Sequence, residues 1–222
     1  MTYTYTNTYY YDLLPDHIFR ENGTILEFGS GDGNSQVESR HAPHFMGEGY
    51  VGIDIRTDIS PKINIINADV FEYETDTKYD TVLAIAVIEH IPFSYWPKLF
   101  EKLKSLTKED GYIAILVPHD ERLSDYITSE DYEHCLKHYP VIGHGVPCHV
   151  VHGITEKVLQ HFLPSADVIE VRRKLNFREE GEGLIRPTLR FVKRVLTGHK
   201  YIREWWFRKR YLLIAIWKNA SD

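Results

Sequence analysis

The chain has 222 residues, 43% hydrophobic and 26% charged, with a net charge of −6. That length suffices for one large domain with its own core, and no apolar run approaches the roughly 20 residues that cross a bilayer. The opening Met1-Thr2-Tyr3-Thr4-Tyr5-Thr6-Asn7 lacks a basic region followed by an apolar stretch, so no secretory signal is expected. The two cysteines, Cys135 and Cys148, fit a reducing compartment, and the expected location is cytoplasmic. Charge is unevenly divided, because residues 1–165 hold 12 Lys+Arg against 25 Asp+Glu while residues 166–222 hold 14 against 7. A basic end on an acidic body can meet an anionic substrate, nucleic acid or a membrane surface, or be a solvated face.

Residues 1–23 are rich in Tyr and Thr, then carry Leu13, Leu14, Ile18 and Phe19 at roughly helical spacing before Glu21-Asn22-Gly23 ends the pattern. A helix with a tyrosine-bearing lead is expected here, forming an N-terminal lid. Five short apolar runs follow, Thr24–Phe28, Tyr50–Ile55, Ile63–Asn67, Thr81–Ala86 and Tyr112–Val117, with turn or helix signals between them. This alternation predicts an α/β fold with a parallel, doubly wound sheet. The clearest helix is Ser94–Leu106, whose Trp96, Leu99, Phe100, Leu103 and Leu106 share one face. Thr107–Gly111 reads as a turn, its glycine suited to the helix end. Residues 118–153, with three prolines, three glycines and six histidines, read as a substrate-facing insertion with one short helix around Asp131–Lys137. Thr155 caps a helix to about Phe162, and Val168–Val171 and Tyr211–Trp217 are two further strands. Between them residues 179–210 are basic and aromatic, with Trp205-Trp206-Phe207-Arg208. No repeat or linker divides the chain, so residues 1–222 are read as one domain.

Four stretches carry chemistry. In Ile25-Leu26-Glu27-Phe28-Gly29-Ser30-Gly31-Asp32-Gly33 an apolar strand breaks into alternate glycines, which permit positive φ and close approach of a ligand to the backbone. The spacing differs from the Gly-x-Gly-x-x-Gly dinucleotide fingerprint. Val51–Ile55 carries Asp54, 21 residues beyond Gly33, where an acid at a neighbouring strand end can accept from ribose hydroxyls. Asn67-Ala68-Asp69-Val70-Phe71 follows the third strand, though alone it is also an ordinary turn. Finally, Tyr79–Pro92 runs an apolar strand into Glu89-His90 at its carboxyl end, the edge that forms the ligand crevice in such sheets.

In this order, over about residues 24–118, the four stretches resemble the class I S-adenosylmethionine-dependent methyltransferases of small-molecule type. The resemblance implies a Rossmann-like seven-stranded sheet, mostly parallel with an antiparallel last strand. It also implies S-adenosylmethionine as cofactor and S-adenosylhomocysteine as product. Glu27, Gly29, Gly31 and Gly33 match the first motif, whose turn passes under the amino-acid part of the cofactor and whose acid organises its ammonium group. Asp54 matches the ribose ligand, Asp69 with Val70 the adenine side, and Glu89-His90 the fourth motif, with Glu89 among the cofactor residues. The Asn/Asp-Pro-Pro-Tyr/Phe signature of nucleobase and glutamine amino-methylating enzymes is absent, which speaks against that acceptor class. No Asp-based divalent site is seen, so no metal is expected.

Methyl transfer needs an acceptor atom in line with the methyl group, and a base where that atom carries a proton. Histidine suits that task near neutral pH, and the candidates are His90, His119, His149 and His152. Each can equally be structural. The cluster His134, Cys135, His138, His144, Cys148, His149 and His152 has imidazole and thiolate ligands but no recognised zinc spacing. The expected activity is methylation of a small-molecule, sugar- or lipid-linked acceptor at oxygen, the basic end hinting at an anionic one. The rival readings are a non-catalytic S-adenosylmethionine-binding scaffold, and a nucleic-acid or membrane-surface binder working through the basic C-terminal segment.

Overall fold

The run Tyr79–Ile85 is buried at all seven positions, as a parallel strand covered on both faces must be. It is the centre of the sheet in the computed structural model, which describes residues 2–5, 10–55, 63–118, 154–173 and 211–220. The strands are β1 (Thr2–Tyr5), β2 (Ile25–Phe28), β3 (Tyr50–Asp54), β4 (Ile65–Asn67), β5 (Tyr79–Ile85), β6 (Thr107–Pro118), β7 (Asp167–Arg173) and β8 (Tyr211–Lys218). Their spatial order is β1-β7-β8-β6-β5-β2-β3-β4. All neighbours run parallel except the pairs made by β8, which is antiparallel to both β6 and β7. This is the expected doubly wound sheet with its antiparallel last strand. From β2 the chain winds outward through β3 to β4, then returns to β5 on the other side of β2. The carboxyl ends of β2 and β5 therefore border the topological switch point, where open α/β sheets place their ligands.

Alternation along the strands sends side chains to two cores. Leu26, Phe28, Val82, Ala84, Ile113 and Ile115 meet α3 (Trp96–Leu106) and α4 (Glu156–Phe162) on one face. The α3 stripe Trp96, Leu99, Phe100 and Leu103 is almost wholly buried, each side chain contributing roughly 1.5–3 kcal/mol. Phe162 stacks on Phe100 at 4.6 Å, locking the two helices together. As expected, the Thr155 side chain caps α4, accepting from Val158 N–H at 3.4 Å. The opposite face packs Ile25, Leu83, Ile85, Leu116 and Ile214 against Tyr11, Leu14, Ile18, Phe19 and Phe45. Two one-turn helices, α1 (Asn34–Val37) and α2 (Ala42–Phe45), connect β2 to β3. Among the described residues no helix is long and apolar enough to cross a membrane.

The seven expected strands are all present as β2 to β8, and the alternating Thr and Tyr of residues 2–5, good strand formers, add an eighth along the outer edge of β7, Thr2 opposite Glu170 and Tyr5 opposite Arg173. Two expectations are corrected. The helix expected through Leu13–Phe19 is instead two 3-10 turns, Tyr10–Leu13 and Asp16–Ile18. Pro15 lies between them with φ −74° and ψ 143°, and proline both lacks the helical donor and pushes its predecessor out of the helical region. Thr107–Gly111 is drawn into β6, because Asn219 accepts from Asp110 N–H at 2.7 Å and donates to Gly111 O at 2.9 Å. The left-handed residue there is Asp110 (φ 60°) rather than the glycine. The helix expected around Asp131–Lys137 and the basic segment 179–210 lie outside the described residues.

Candidate active site

The glycine turn leaves β2 with Gly29, Gly31 and Gly33 at φ 69°, 66° and 77°. These left-handed conformations are costly for any residue with a Cβ. Backbone bonds hold the turn to the end of β3: Gly29 N–H and Ser30 N–H both donate to Ile53 O, at 2.8 and 3.2 Å. Asp54 accepts from Gly31 N–H through Oδ2 at 2.8 Å and is itself buried. The next strand end is tied on in turn, Ala68 N–H and the Asn67 side chain both donating to Asp54 O at 3.1 Å. The acid chosen by its spacing from Gly33 thus lies directly against the glycine turn.

A cavity of about 250 Å³ opens on this turn, lined by Gly29, Ser30, Gly31 and Asp32, by Ser35 and Gln36 of α1, by Ile85 at the end of β5, and by Tyr10 and Tyr11. Tyr10 and Tyr11 of the first N-terminal turn thus form part of its wall. Glu27, which the resemblance assigns to an ammonium group, is placed differently. Its carboxylate has no exposed surface and accepts from Tyr11 Oη at 2.5 Å, Tyr50 Oη at 2.7 Å and Gln36 Nε2 at 3.1 Å. Burial pushes its pKa up, against the pull of the three donors. Burial beside Glu27 also raises both phenols, so each remains a protonated donor. Gly52 makes the arrangement possible, since a Cβ there would meet Ser30 Oγ at 2.6 Å and Tyr50 Oη at 2.8 Å. No motif marks Tyr50 or Gln36 in the sequence, and Gly52 is marked only by its place in an apolar strand. A glycine inside an apolar strand signals close approach of another group.

Beyond β5 the chain forms a 3-10 turn, Ile88–His90. It begins at Val87, whose Cγ2 lies 2.3 Å from where a Cβ on Gly29 would stand. Glu89 and His90 thus follow directly on the residue that covers the glycine turn. Glu89 is buried, its Oε2 finds no hydrogen-bond partner among the described residues, and burial lifts its pKa to about 8. His90 is half-buried, with its N–H donating to Val87 O at 3.0 Å. Asp69 uses Oδ1 to accept from Phe71 N–H at 2.8 Å, bracing its own turn, and Val70 packs half-buried on the core. His119, His149 and His152 lie outside the described residues, as does the rest of the His/Cys cluster.

The architecture agrees with comparisons to known proteins. A family model described as a methyltransferase domain matches residues 5–162. Among solved structures, the chain is similar to a SAM-dependent methyltransferase from Methanosarcina mazei, with 14% identity over 95% of this chain and 100% of that one and a TM-score of 0.54. It is also similar to the N-methyltransferase NodS from Bradyrhizobium japonicum, with 12% identity over 90% and 87% of the two chains and a TM-score of 0.50. A third, phosphoethanolamine N-methyltransferase 2 from Haemonchus contortus in complex with S-adenosyl-L-methionine, shares 14% identity over 93% and 51%, with a TM-score of 0.52. No curated protein sequence matches the chain. The chain belongs to the methyltransferase domain family, as a class I S-adenosylmethionine-dependent methyltransferase.

Proposed function

We propose that the cavity on the glycine turn receives the amino-acid end of S-adenosylmethionine, and that the enzyme methylates a small-molecule, sugar- or lipid-linked acceptor at oxygen. The observation that carries this reading is the cavity of about 250 Å³ against three left-handed glycines, with Asp54 bonded to the middle one. Its wall is polar, from Tyr10, Asp32, Ser35 and Gln36, and suits an ammonium and a carboxylate better than an apolar ligand. Gly29, Gly31 and Gly33 hold backbone close to the ligand. Asp54 is the acceptor for the ribose hydroxyls, and Asp69 with Val70 borders the adenine. When bound, the cofactor supplies an electrophilic methyl group on a sulfonium.

The protein's share is positioning and proton handling. His90, just beyond β5, is assigned as base for an acceptor hydroxyl, with His119, His149 and His152 as the other candidates. Glu89 next to it remains with the cofactor residues. Residues 118–153 shape the acceptor side, and the basic segment 179–210 favours an anionic acceptor. Calorimetric titration with S-adenosylhomocysteine tests the donor half, and transfer of a labelled methyl group to a panel of hydroxyl and amino acceptors tests the other. Saturable binding that Gly31→Val removes supports the reading, and no heat at millimolar ligand overturns it. Methylation of amines alone would move the target atom from oxygen to nitrogen, and binding without turnover of any acceptor would favour the scaffold.

A further inference from the structure

We infer that Glu27 is a positioning residue rather than a ligand of the methyl donor: it holds Tyr11 against the glycine turn, so that the donor site is complete only when the N-terminal turn is docked. The inference rests on the donor-site reading above.

Glu27 has no surface to offer a ligand, and both its oxygens are occupied, Oε1 by Tyr11 and Oε2 by Tyr50 and Gln36. Two of these donors, Tyr11 and Gln36, themselves line the cavity, whereas Glu27 and Tyr50 do not. The carboxylate therefore reaches the ligand only through side chains that it orients. Gln36 carries the effect to the turn itself, because Nε2 also donates to Ser30 O at 2.7 Å. Because its O–H is directed to Glu27 as a hydrogen-bond donor, the Tyr11 oxygen can serve a ligand only as an acceptor, which suits a donor group such as an ammonium. A second fastening lies just beyond. Arg40 N–H donates to Asp12 Oδ1 at 2.6 Å, and the guanidinium reaches Asp12 O, Leu14 O and Asp16 at 2.8–3.1 Å. The turn at residues 10–13 is thus held by both Glu27 and Arg40.

The test is a double-mutant cycle on Glu27→Gln and Tyr11→Phe, with S-adenosylhomocysteine affinity read by calorimetry and folding checked by thermal melting. Loss of a hydrogen bond to a charged group corresponds to about tenfold in affinity. Each single variant is expected to weaken binding by about that factor, and the double variant by no more than the weaker single one. Tyr50→Phe, which removes a donor outside the cavity, is expected to lower the melting temperature while affinity stays within about threefold. Ligand is expected to slow amide exchange across residues 10–14 in the parent and not in Glu27→Gln. Multiplying effects in the double variant, an unaffected Tyr11→Phe beside a weakened Glu27→Gln, or equal exchange protection in both proteins would each overturn the inference. Failure of the parent to bind the probe would count against the donor-site reading instead.

Discussion

Asp54 ties the end of β3 to the glycine turn. Its distance from Gly33 marked it, and the fold bonds it to Gly31 N–H at 2.8 Å. Replacing it by alanine removes both a brace on the turn and the proposed ribose acceptor. Asp54→Ala should weaken S-adenosylhomocysteine at least about 20-fold, as expected for a lost charged partner, and calorimetry will read this directly. Glu89 makes a different kind of prediction. Its folded pKa of about 8 stands above the roughly 4.3 of an unfolded glutamate, so the native state holds the extra proton between those values. The ligand-free protein should therefore lose stability as pH rises through that window. Glu89→Gln should melt above the parent at pH ~8, with the gap closing toward pH ~5. A gap independent of pH would show that Glu89 ionises normally. Glu27 was legible as part of a motif, but its partners were not. Tyr11, Gln36 and Tyr50 lie 16, 9 and 23 residues away, with no pattern linking them until the fold brings them together.

At the scale of elements, the glycine turn is shaped by what covers it as much as by what it binds. A Cβ on Gly29 would lie 2.3 Å from Val87 Cγ2 at a φ of 69°. Gly29→Ala should cost about 2 kcal/mol or more, from the left-handed backbone and the overlap together. Adding Val87→Ala should recover the overlap share and leave the backbone share, and chemical denaturation of the two variants separates these. In the N-terminal turns the hydrophobic pattern and the backbone diverge. Leu13, Leu14, Ile18 and Phe19 do form one buried face, as the periodicity implied, but Pro15 divides the backbone beneath them. Their docking also depends on His41, which donates from Nε2 to Leu14 O at 3.0 Å and lies against Phe19 at 4.3 Å, burial lowering its pKa. Strands and α3 were legible to within a few residues, because apolar runs between turns and a single buried stripe are local properties. The edge pairing of Thr2–Tyr5 with β7 was not, since it depends on a strand some 165 residues away.

Across the whole molecule, the two ends of the sheet divide stability from chemistry. At the amino ends of β2, β5 and β6, Asp80 accepts from Thr24 N–H at 2.8 Å, Arg20 at 3.0 Å and Lys108 at 2.8 Å, which holds its pKa near 2 despite burial. A depressed carboxylate stabilises the fold above its unfolded pKa of ~3.9, and that contribution fades as pH falls toward the folded value. Arg20 and Lys108 are two-fifths exposed, so Asp80→Asn should cost only about 1–2 kcal/mol at neutral pH. The loss should vanish near pH 2, as urea titrations across pH will show. Donor binding should be unchanged in this variant, because the cluster lies at the opposite end of the strands from the glycine turn. The doubly wound order itself was readable from alternating strands and helical pieces, whereas the acceptor side was not, since a histidine-rich stretch has no periodicity to place it. Whether the glycine turn is the donor site is decided by a crystal structure of the complex with S-adenosylhomocysteine. The amino-acid end of the ligand is expected between Tyr11 and Gly29–Gly31, the ribose hydroxyls on Asp54 and the sulfur facing the side of His90. Ligand bound away from the turn, or with its ribose remote from Asp54, would contradict the donor-site reading.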